Sequence, residues 1–80
     1  MKLRRTNAAK WKYIESTALR KVRYHNRQRV LDIEFPGGET YSYPHVSVGE
    51  YHDLQNADSV GTYLNQIFKP RHPDYWKIEN

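Results

Sequence analysis

Hydrophobic and polar residues alternate along the stretch RVLDIEF, which is typical of a β-strand with one buried face. One face of this strand is apolar and the other is acidic: Leu31, Ile33 and Phe35 against Asp32 and Glu34. The stretch TALRKVRYH before it also alternates, with a basic second face. The first face consists of Ala18, Arg20, Val22 and Tyr24. The second, basic face consists of Leu19, Lys21 and Arg23. We predict a turn at Asn26–Gln28 between these two strands.

A third strand is predicted at TYSY, and Pro44 closes it because proline has no amide to donate to a sheet. Its register depends on the loop at Gly37 and Gly38. A two-residue loop would place the tyrosines of this strand on the acidic face. An odd loop, Gly37–Glu39 or Pro36–Thr40, pairs Phe35 with Tyr41 and Ile33 with Tyr43 and collects the apolar side chains on one face. We expect the odd loop, since burying each large side chain contributes about 1.5–3 kcal/mol.

The hydrophobic period becomes helical after Val46. Ser47 and Glu50 form a capping box for a short helix, and the segment from Asn56 to Asp58 ends it. Asp58 or Ser59 caps a second helix, which we expect Pro70 to stop. The apolar residues of that helix recur at helical spacing: Val60, Tyr63, Leu64, Ile67 and Phe68.

These elements predict an α+β domain, a three-stranded antiparallel meander followed by two helices packed on one face. Residues 1–15 form a basic N-terminal arm, residues 16–69 the domain, and residues 70–80 a tail with two aromatic residues, Tyr75 and Trp76. A three-stranded sheet leaves two edges that can pair with another chain, so we expect a homo-oligomer.

Charge is unevenly distributed along the chain, whose net charge is +4. Residues 1–29 carry ten Lys or Arg and one acid, whereas residues 30–66 carry six acids and no Lys or Arg. This separation suggests a basic surface for phosphate-bearing partners or attraction between subunits. The basic N-terminus lacks an apolar signal segment, and no apolar run could span a membrane, so we expect a soluble cytoplasmic protein without membrane association.

From Ser16 to about Lys69 the sequence resembles the KTSC domain, which occurs alone in bacterial and phage proteins and at the C-terminus of some lysyl-tRNA synthetases. The resemblance is carried by the Y-x-Y of Tyr41 and Tyr43 and by the S-x-G-x-Y-x-N of residues 59–65. Arg23 departs from the pattern, which often has glycine there. The resemblance implies the fold more than any chemistry. RNA binding has been suggested for the family because of its place on a tRNA synthetase.

Candidate ligand-binding residues come from three features of the sequence. The first is the set of cations expected to contact phosphates: Arg20, Lys21, Arg23, Arg27 and Arg29. The second is the tyrosine strand with the histidine after it: Tyr41, Tyr43 and His45. The third is the start of the second helix, where amides at Ser59 and Gly61 could hold an anion, with Tyr63 and Asn65 following. The alternatives are a solubilising basic surface and an ordinary helix cap whose glycine allows close packing. Four further aromatic residues could stack bases: Trp11, Tyr13, Tyr24 and Trp76.

Catalytic and metal chemistry is not expected. The four histidines have no i, i+4 pair and there is no cysteine, so no zinc site is predicted and no cofactor is implied. Asp32 and Glu34 could serve as an acid–base pair, but a solvated face that pairs with Lys21 or Arg23 is the simpler interpretation. No serine has the context of an activated nucleophile.

We therefore hypothesise a non-catalytic binding module for a phosphate-bearing ligand, RNA or a nucleotide. The alternative is an oligomeric, phage-type interaction protein, one variant of which sequesters a nucleotide messenger of host defence in pockets between subunits. An enzyme such as a nuclease is not favoured, because no set of catalytic residues is recognisable.

Overall fold

The computed structural model describes residues 9–78 and contains a five-stranded antiparallel sheet in the order of the chain. The strands are β1 (Lys12–Tyr13), β2 (Lys21–His25), β3 (Val30–Glu34), β4 (Thr40–Tyr43) and β5 (Trp76–Ile78). The α+β class is confirmed, but the prediction of three strands is wrong. Strands β1 and β5 come from the predicted arm and tail, and they are too short for an alternating pattern to reveal them.

In the hairpin between β3 and β4, the tyrosines lie on the predicted face of the sheet, but they pair with other residues of β3 than predicted. Tyr41 lies opposite Ile33 and Tyr43 opposite Leu31, so the tyrosines share the apolar face as an odd loop requires. The loop begins one residue earlier than Gly37: the Phe35 amide donates to the Glu39 carbonyl at 2.8 Å. A three-residue loop of Pro36, Gly37 and Gly38 therefore shifts each predicted pair by two residues, and Gly38 takes the positive φ of 93°.

The turn between β2 and β3 spans four residues, Asn26 to Arg29, one more than predicted. Arg29 ends it with a left-handed backbone, φ 59°. Leu19 was predicted on the basic face of the first strand, but it precedes β2 and is fully buried in the core. The strand alternation therefore begins only at Lys21.

Two helices follow the sheet. Helix α1 (Val48–Asn56) starts with the predicted capping box, in which Ser47 accepts from the Glu50 amide and Glu50 accepts from the Ser47 amide. Helix α2 covers residues 60–71 and consists of an α-helical turn (Val60–Tyr63), a π-helical turn (Leu64–Phe68) and a last turn (Lys69–Arg71). Ser59 caps it. None of the helices within residues 9–78 is long and apolar enough to cross a membrane.

Pro70 does not stop α2, because the helix continues through Arg71. In a regular α-helix the proline ring would collide with the carbonyl four residues earlier, that of Gln66. The wider π-helical turn immediately before Lys69 relieves that collision, and the Lys69 amide donates to the Leu64 carbonyl instead. The helix therefore accommodates Pro70 by changing locally from α-helical to π-helical.

The core lies between the sheet and the helices. Its buried apolar residues come from both layers and from the segments that join them: Leu19, Val22, Leu31, Ile33, Tyr43, Val46, Leu54, Leu64 and Phe68. The opposite side of the sheet, here called the outer face, carries the other residue of each alternating pair, including Arg23, Asp32 and Ser42. Trp76 of β5 lies opposite Ser42 and so belongs to the outer face too.

Candidate functional site

A pocket of about 220 Å³ opens where β4, the end of α2 and the segment before β5 meet. Four aromatic rings line it: Phe35, Tyr41, Tyr43 and Tyr75. Lys69, His72 and Pro73 complete its wall. We call this cavity the aromatic pocket. It places the Y-x-Y motif of the sequence at a concave surface and next to a cation.

The rings of the aromatic pocket meet at tilted or steep angles and do not stack face to face. Tyr75 is edge-on to Tyr41 at 5.3 Å between centroids and tilted to Tyr43 at 5.4 Å. Tyr75 is about half exposed, whereas Tyr43 is buried at the base. Lys69 Nζ lies 5.2 Å from the centroid of the Phe35 ring, a cation–π contact that holds the ammonium group beside the pocket.

The Tyr43 hydroxyl is a neutral hydrogen-bonding group at ordinary pH. Burial raises the pKa of Tyr43 to about 12, with smaller contributions from Tyr75 and Tyr41. The phenol therefore does not serve as a base near neutrality. What the base of the pocket offers a ligand is an apolar ring with a polar edge.

One wall of the aromatic pocket is fixed by a buried histidine. The Nε2–H of His72 donates to Oε2 of Glu50 at 2.8 Å, and the imidazole packs on the ring of Phe68 with 4.5 Å between centroids. Burial would raise the pKa of Glu50, but the hydrogen bonds from His72 and the Ser47 amide, with the charges of His72 and Arg71, lower it overall. Glu50 thereby ties the start of α1 to the end of α2.

Replacing Glu50 by glutamine should change how the free energy of unfolding depends on pH. The folded-state pKa of Glu50 lies below its ordinary 4.5, so the ionised carboxylate stabilises the fold above that value, and the contribution is lost as pH falls through the lowered pKa. We expect urea unfolding between about pH 7 and pH 3 to show the largest difference in unfolding free energy between wild type and Glu50→Gln near neutrality. The difference should become smaller in acid. Asp53→Asn, an exposed change on the same helix, is the matched control against which this decrease for Glu50→Gln is measured. If the difference in unfolding free energy between wild type and Glu50→Gln is the same at every pH, the lowered pKa of Glu50 is contradicted.

The predicted phosphate-binding cations of β2 are paired with acids on the outer face. Arg20 and Lys21 contact Glu34 at 3.1 and 3.4 Å, and Arg23 binds Asp32 at 2.9 Å. The guanidinium of Arg23 also stacks on Trp11, 4.2 Å from its centroid. The pairing of Asp32 and Glu34 with neighbouring cations is thus confirmed, but the prediction of a solvated face is wrong for Asp32, which is buried. These contacts satisfy much of the charge that a phosphate would need.

Asp32 is the centre of a polar cluster although only 2% of it is exposed. One carboxylate oxygen accepts from Arg23 and lies 2.8 Å from Nε2 of His25, and the other accepts from the Ser42 hydroxyl. Because Ser42 donates to the carboxylate and not to a histidine, the cluster lacks the hydrogen bond that activates a nucleophile. The cluster holds β2, β3 and β4 together across the outer face.

The start of α2 is a less suitable anion site than its sequence indicates. Ser59 and Gly61 line an open cavity of about 490 Å³ whose wall also includes two acids, Glu15 and Asp58. A Cβ added to Gly61 would lie 3.1 Å from Cβ of Ala18, so the glycine is explained by close packing. The acids make this cavity unfavourable for phosphate.

The remaining sequence candidates are dispersed. Tyr63 is partly buried against the core and Asn65 is exposed, and neither lines the aromatic pocket. Tyr24 is unsuited to base stacking, because its ring stacks on Tyr51 at 4.7 Å and its hydroxyl donates to the Val46 carbonyl. Arg27 is exposed in the turn before β3. Arg29 and His45 lie together at one cleft, described below.

Sequence reasoning brought Tyr41 and Tyr43 to the site but missed its other five residues: Phe35, Lys69, His72, Pro73 and Tyr75. Lys69 lies just before Pro70, where the second helix was predicted to end, and Tyr75 lies in the predicted C-terminal tail. The proximity of the tail to Tyr41 depends on β5 pairing with β4, which no local pattern announces. Within residues 9–78 no group of three or more His, Asp or Glu side chains is arranged to hold a metal ion.

Comparison with known proteins places these features in a family. The family model of the KTSC domain matches residues 15–72. An uncharacterized protein of Stutzerimonas stutzeri is 39% identical over 66 residues, 82% of this chain and 93% of that protein. A protein of Tsukamurella paurometabola is 38% identical over 58 residues, 72% of this chain and 87% of its own length.

The fold has also been seen in a crystal structure. A KTSC domain protein from Yersinia pestis superposes with a TM-score of 0.83 at 24% identity. The alignment covers 90% of this chain and all of that one. The similarity establishes the arrangement of sheet and helices.

Proposed function

The chain belongs to the KTSC domain family, and from the geometry of its site we propose that it is a non-catalytic module that binds a nucleotide or RNA. The observation that carries this proposal is the aromatic pocket, in which tyrosine rings lie beside Lys69. Stacking on aromatic rings suits every nucleobase, because each base has a π face, and a nearby cation attracts the phosphate.

The size of the pocket supports a single base as the buried part of the ligand. Its volume of about 220 Å³ is below the range of about 300–1,000 Å³ typical of pockets that enclose drug-sized ligands. A base would enter beside Tyr75, and the sugar and phosphate would remain outside, where Lys69 and Arg71 are exposed. We also propose that the protein works in the cytoplasm, where nucleotides and RNA are found.

A binding role is favoured over catalysis by the state of the acids near these surfaces. Asp32 is held by Arg23 and Ser42, and Glu50 by His72. The carboxylate oxygens of both residues are therefore already engaged by neighbouring side chains. The same groups act well as fixed supports for neighbouring side chains.

The test is a calorimetric titration of the purified protein with uridine monophosphate. We expect Tyr75→Ala to weaken binding roughly tenfold or more, since stacking of one base on an aromatic ring contributes about 1–3 kcal/mol. Tyr13→Ala is the matched control: Tyr13 is 69% exposed and Tyr75 55%, but Tyr13 lies on the outer face, away from the pocket. Equal losses for the two variants, or no binding by the wild type, would contradict the proposal.

A second candidate function, assembly of a homo-oligomer, is favoured by the outer face and the edges of the sheet. Trp76 is 51% exposed and Tyr13 is exposed at the other end of the same face. The outer edges of β1 and β5 leave backbone groups that could pair with another copy, but over only two and three residues. This candidate, including sequestration of a ligand between subunits, would be supported by two results from light scattering. The wild type should have the mass of an oligomer, and Trp76→Glu should have the mass of a monomer. A monomeric wild type would exclude it.

A further inference from the structure

The aromatic pocket shares lining residues with a second cleft, and that cleft shares one with a third. The second cleft, of about 120 Å³, shares His72 and Pro73 with the aromatic pocket and adds Pro44, His45 and Arg71. The third, of about 400 Å³, shares His45 with the second and is completed by Gln28, Arg29 and Ser47. The shared lining residues place the three cavities one after another along the segment from Tyr41 to Ser47.

Cations are spaced along this row. Lys69 lies at the aromatic pocket, Arg71 at the second cleft and Arg29 at the third. All three are exposed, and the side chain of Arg71 is 61% accessible despite its 3.9 Å approach to Glu50. Asp74 also borders the second cleft. Even with Glu50 counted beside Asp74, three cations outnumber two acids, so the row keeps a positive balance.

The third cleft is also where the backbone is unusual. Among residues 9–78, the non-glycine residues with positive φ are Arg29 (59°) and His45 (62°), and both line this cleft. The Val46 amide donates to the Arg29 carbonyl at 2.9 Å and holds the two segments together. A left-handed backbone is costly for residues with a side chain and is often associated with functional sites. Glycine would fit both positions without strain, so the side chains themselves need a reason to be there.

We propose that the three cavities form one groove for single-stranded nucleic acid. One base stacks in the aromatic pocket, and the backbone then passes Arg71 and His45 so that its phosphates reach Arg29. This inference rests on the proposed function and specifies its ligand as a strand in preference to a mononucleotide. It follows the general design of single-strand binders, which combine a positive groove with stacking platforms and read little sequence.

The experiment compares uridine monophosphate with oligouridylate and oligothymidylate at several salt concentrations. We expect an oligonucleotide to bind at least tenfold more tightly than the mononucleotide, with a stronger salt dependence, because each phosphate contact on a single strand adds about 0.7 to the slope of log affinity against log salt. Tight binding of either oligonucleotide supports the groove.

Arg29→Gly and Arg27→Ala provide the decisive pair of variants. Each removes one cation from the same turn, but only Arg29 lines the groove, and glycine accepts its left-handed backbone. Arg29→Gly should weaken the oligonucleotide several-fold, reduce the salt slope by about 0.7 and leave mononucleotide affinity unchanged. Arg27→Ala should have little effect on any of these. His45→Gly offers a second position for the same comparison.

The outcomes separate the groove from the pocket. If oligonucleotide and mononucleotide bind equally well, the groove is wrong and the nucleotide pocket stands. If Arg29→Gly and Arg27→Ala weaken the oligonucleotide equally, the binding is general charge attraction and the groove is again wrong. If neither ligand binds, both the groove and the proposed function are wrong.

Discussion

Replacing Phe68 by alanine is expected to lower the free energy of unfolding by about 3–5 kcal/mol, the usual cost of removing a buried aromatic ring. Phe68 is 1% exposed and lies in the π-helical turn of α2. Its ring is edge-on to Tyr43 with 5.2 Å between centroids and packs against His72 on the other side. The change would therefore leave a cavity directly beneath the aromatic pocket. For a domain of this size that is a large part of the total stability.

Ile67→Ala is the control for this prediction. Ile67 precedes Phe68 in the same turn but is 38% exposed, so its truncation should cost about 1 kcal/mol or less. Urea unfolding followed by tyrosine and tryptophan fluorescence gives both values. If Phe68→Ala costs no more than Ile67→Ala, the described packing of α2 on the sheet is incorrect.

Replacing Asp32 by asparagine is expected to lower the free energy of unfolding by about 2–4 kcal/mol. The amide has nearly the shape of the carboxylate but carries no charge, so Arg23 loses its counter-ion. The contacts of Asp32 with His25 and Ser42 are weakened as well. These losses occur at a buried position, where water cannot replace the missing interactions.

Glu34→Gln tests the same kind of change two residues further along β3. Glu34 holds Arg20 and Lys21 through more exposed contacts, for which losses of about 0–1 kcal/mol are usual. Chemical denaturation of the two variants should therefore separate them clearly. Similar losses would mean that the Asp32 cluster is not a structural centre of the sheet.

The parts of the fold that could be predicted are those encoded by local repetition. Alternation in β3 and β4 indicated that Tyr41 and Tyr43 face the core, and the capping box at Ser47 located the start of α1. The pairing of Arg23 with Asp32 was foreseen as the simpler explanation of two acids on a strand next to a basic one.

The rest depended on long-range contacts that short segments do not announce. Strand β5 has three residues, and only its pairing with β4 holds the tail beside the pocket. Lys69 and Tyr75 lie on either side of Pro70, and nothing in their spacing shows that the chain turns back toward Tyr41. The basic strand was the strongest signal for phosphate binding, yet its partner acids on β3 reduce it to a mostly paired surface.

The most direct test of the central claim, that the aromatic pocket is the ligand site, is an NMR titration of the isotope-labelled protein with uridine monophosphate. We predict that the largest saturable shifts fall on Tyr41, Tyr43, Lys69 and Tyr75, which surround the pocket. Shifts concentrated instead on Trp11, Arg23 and Trp76 would place the ligand on the opposite side of the sheet and contradict the account.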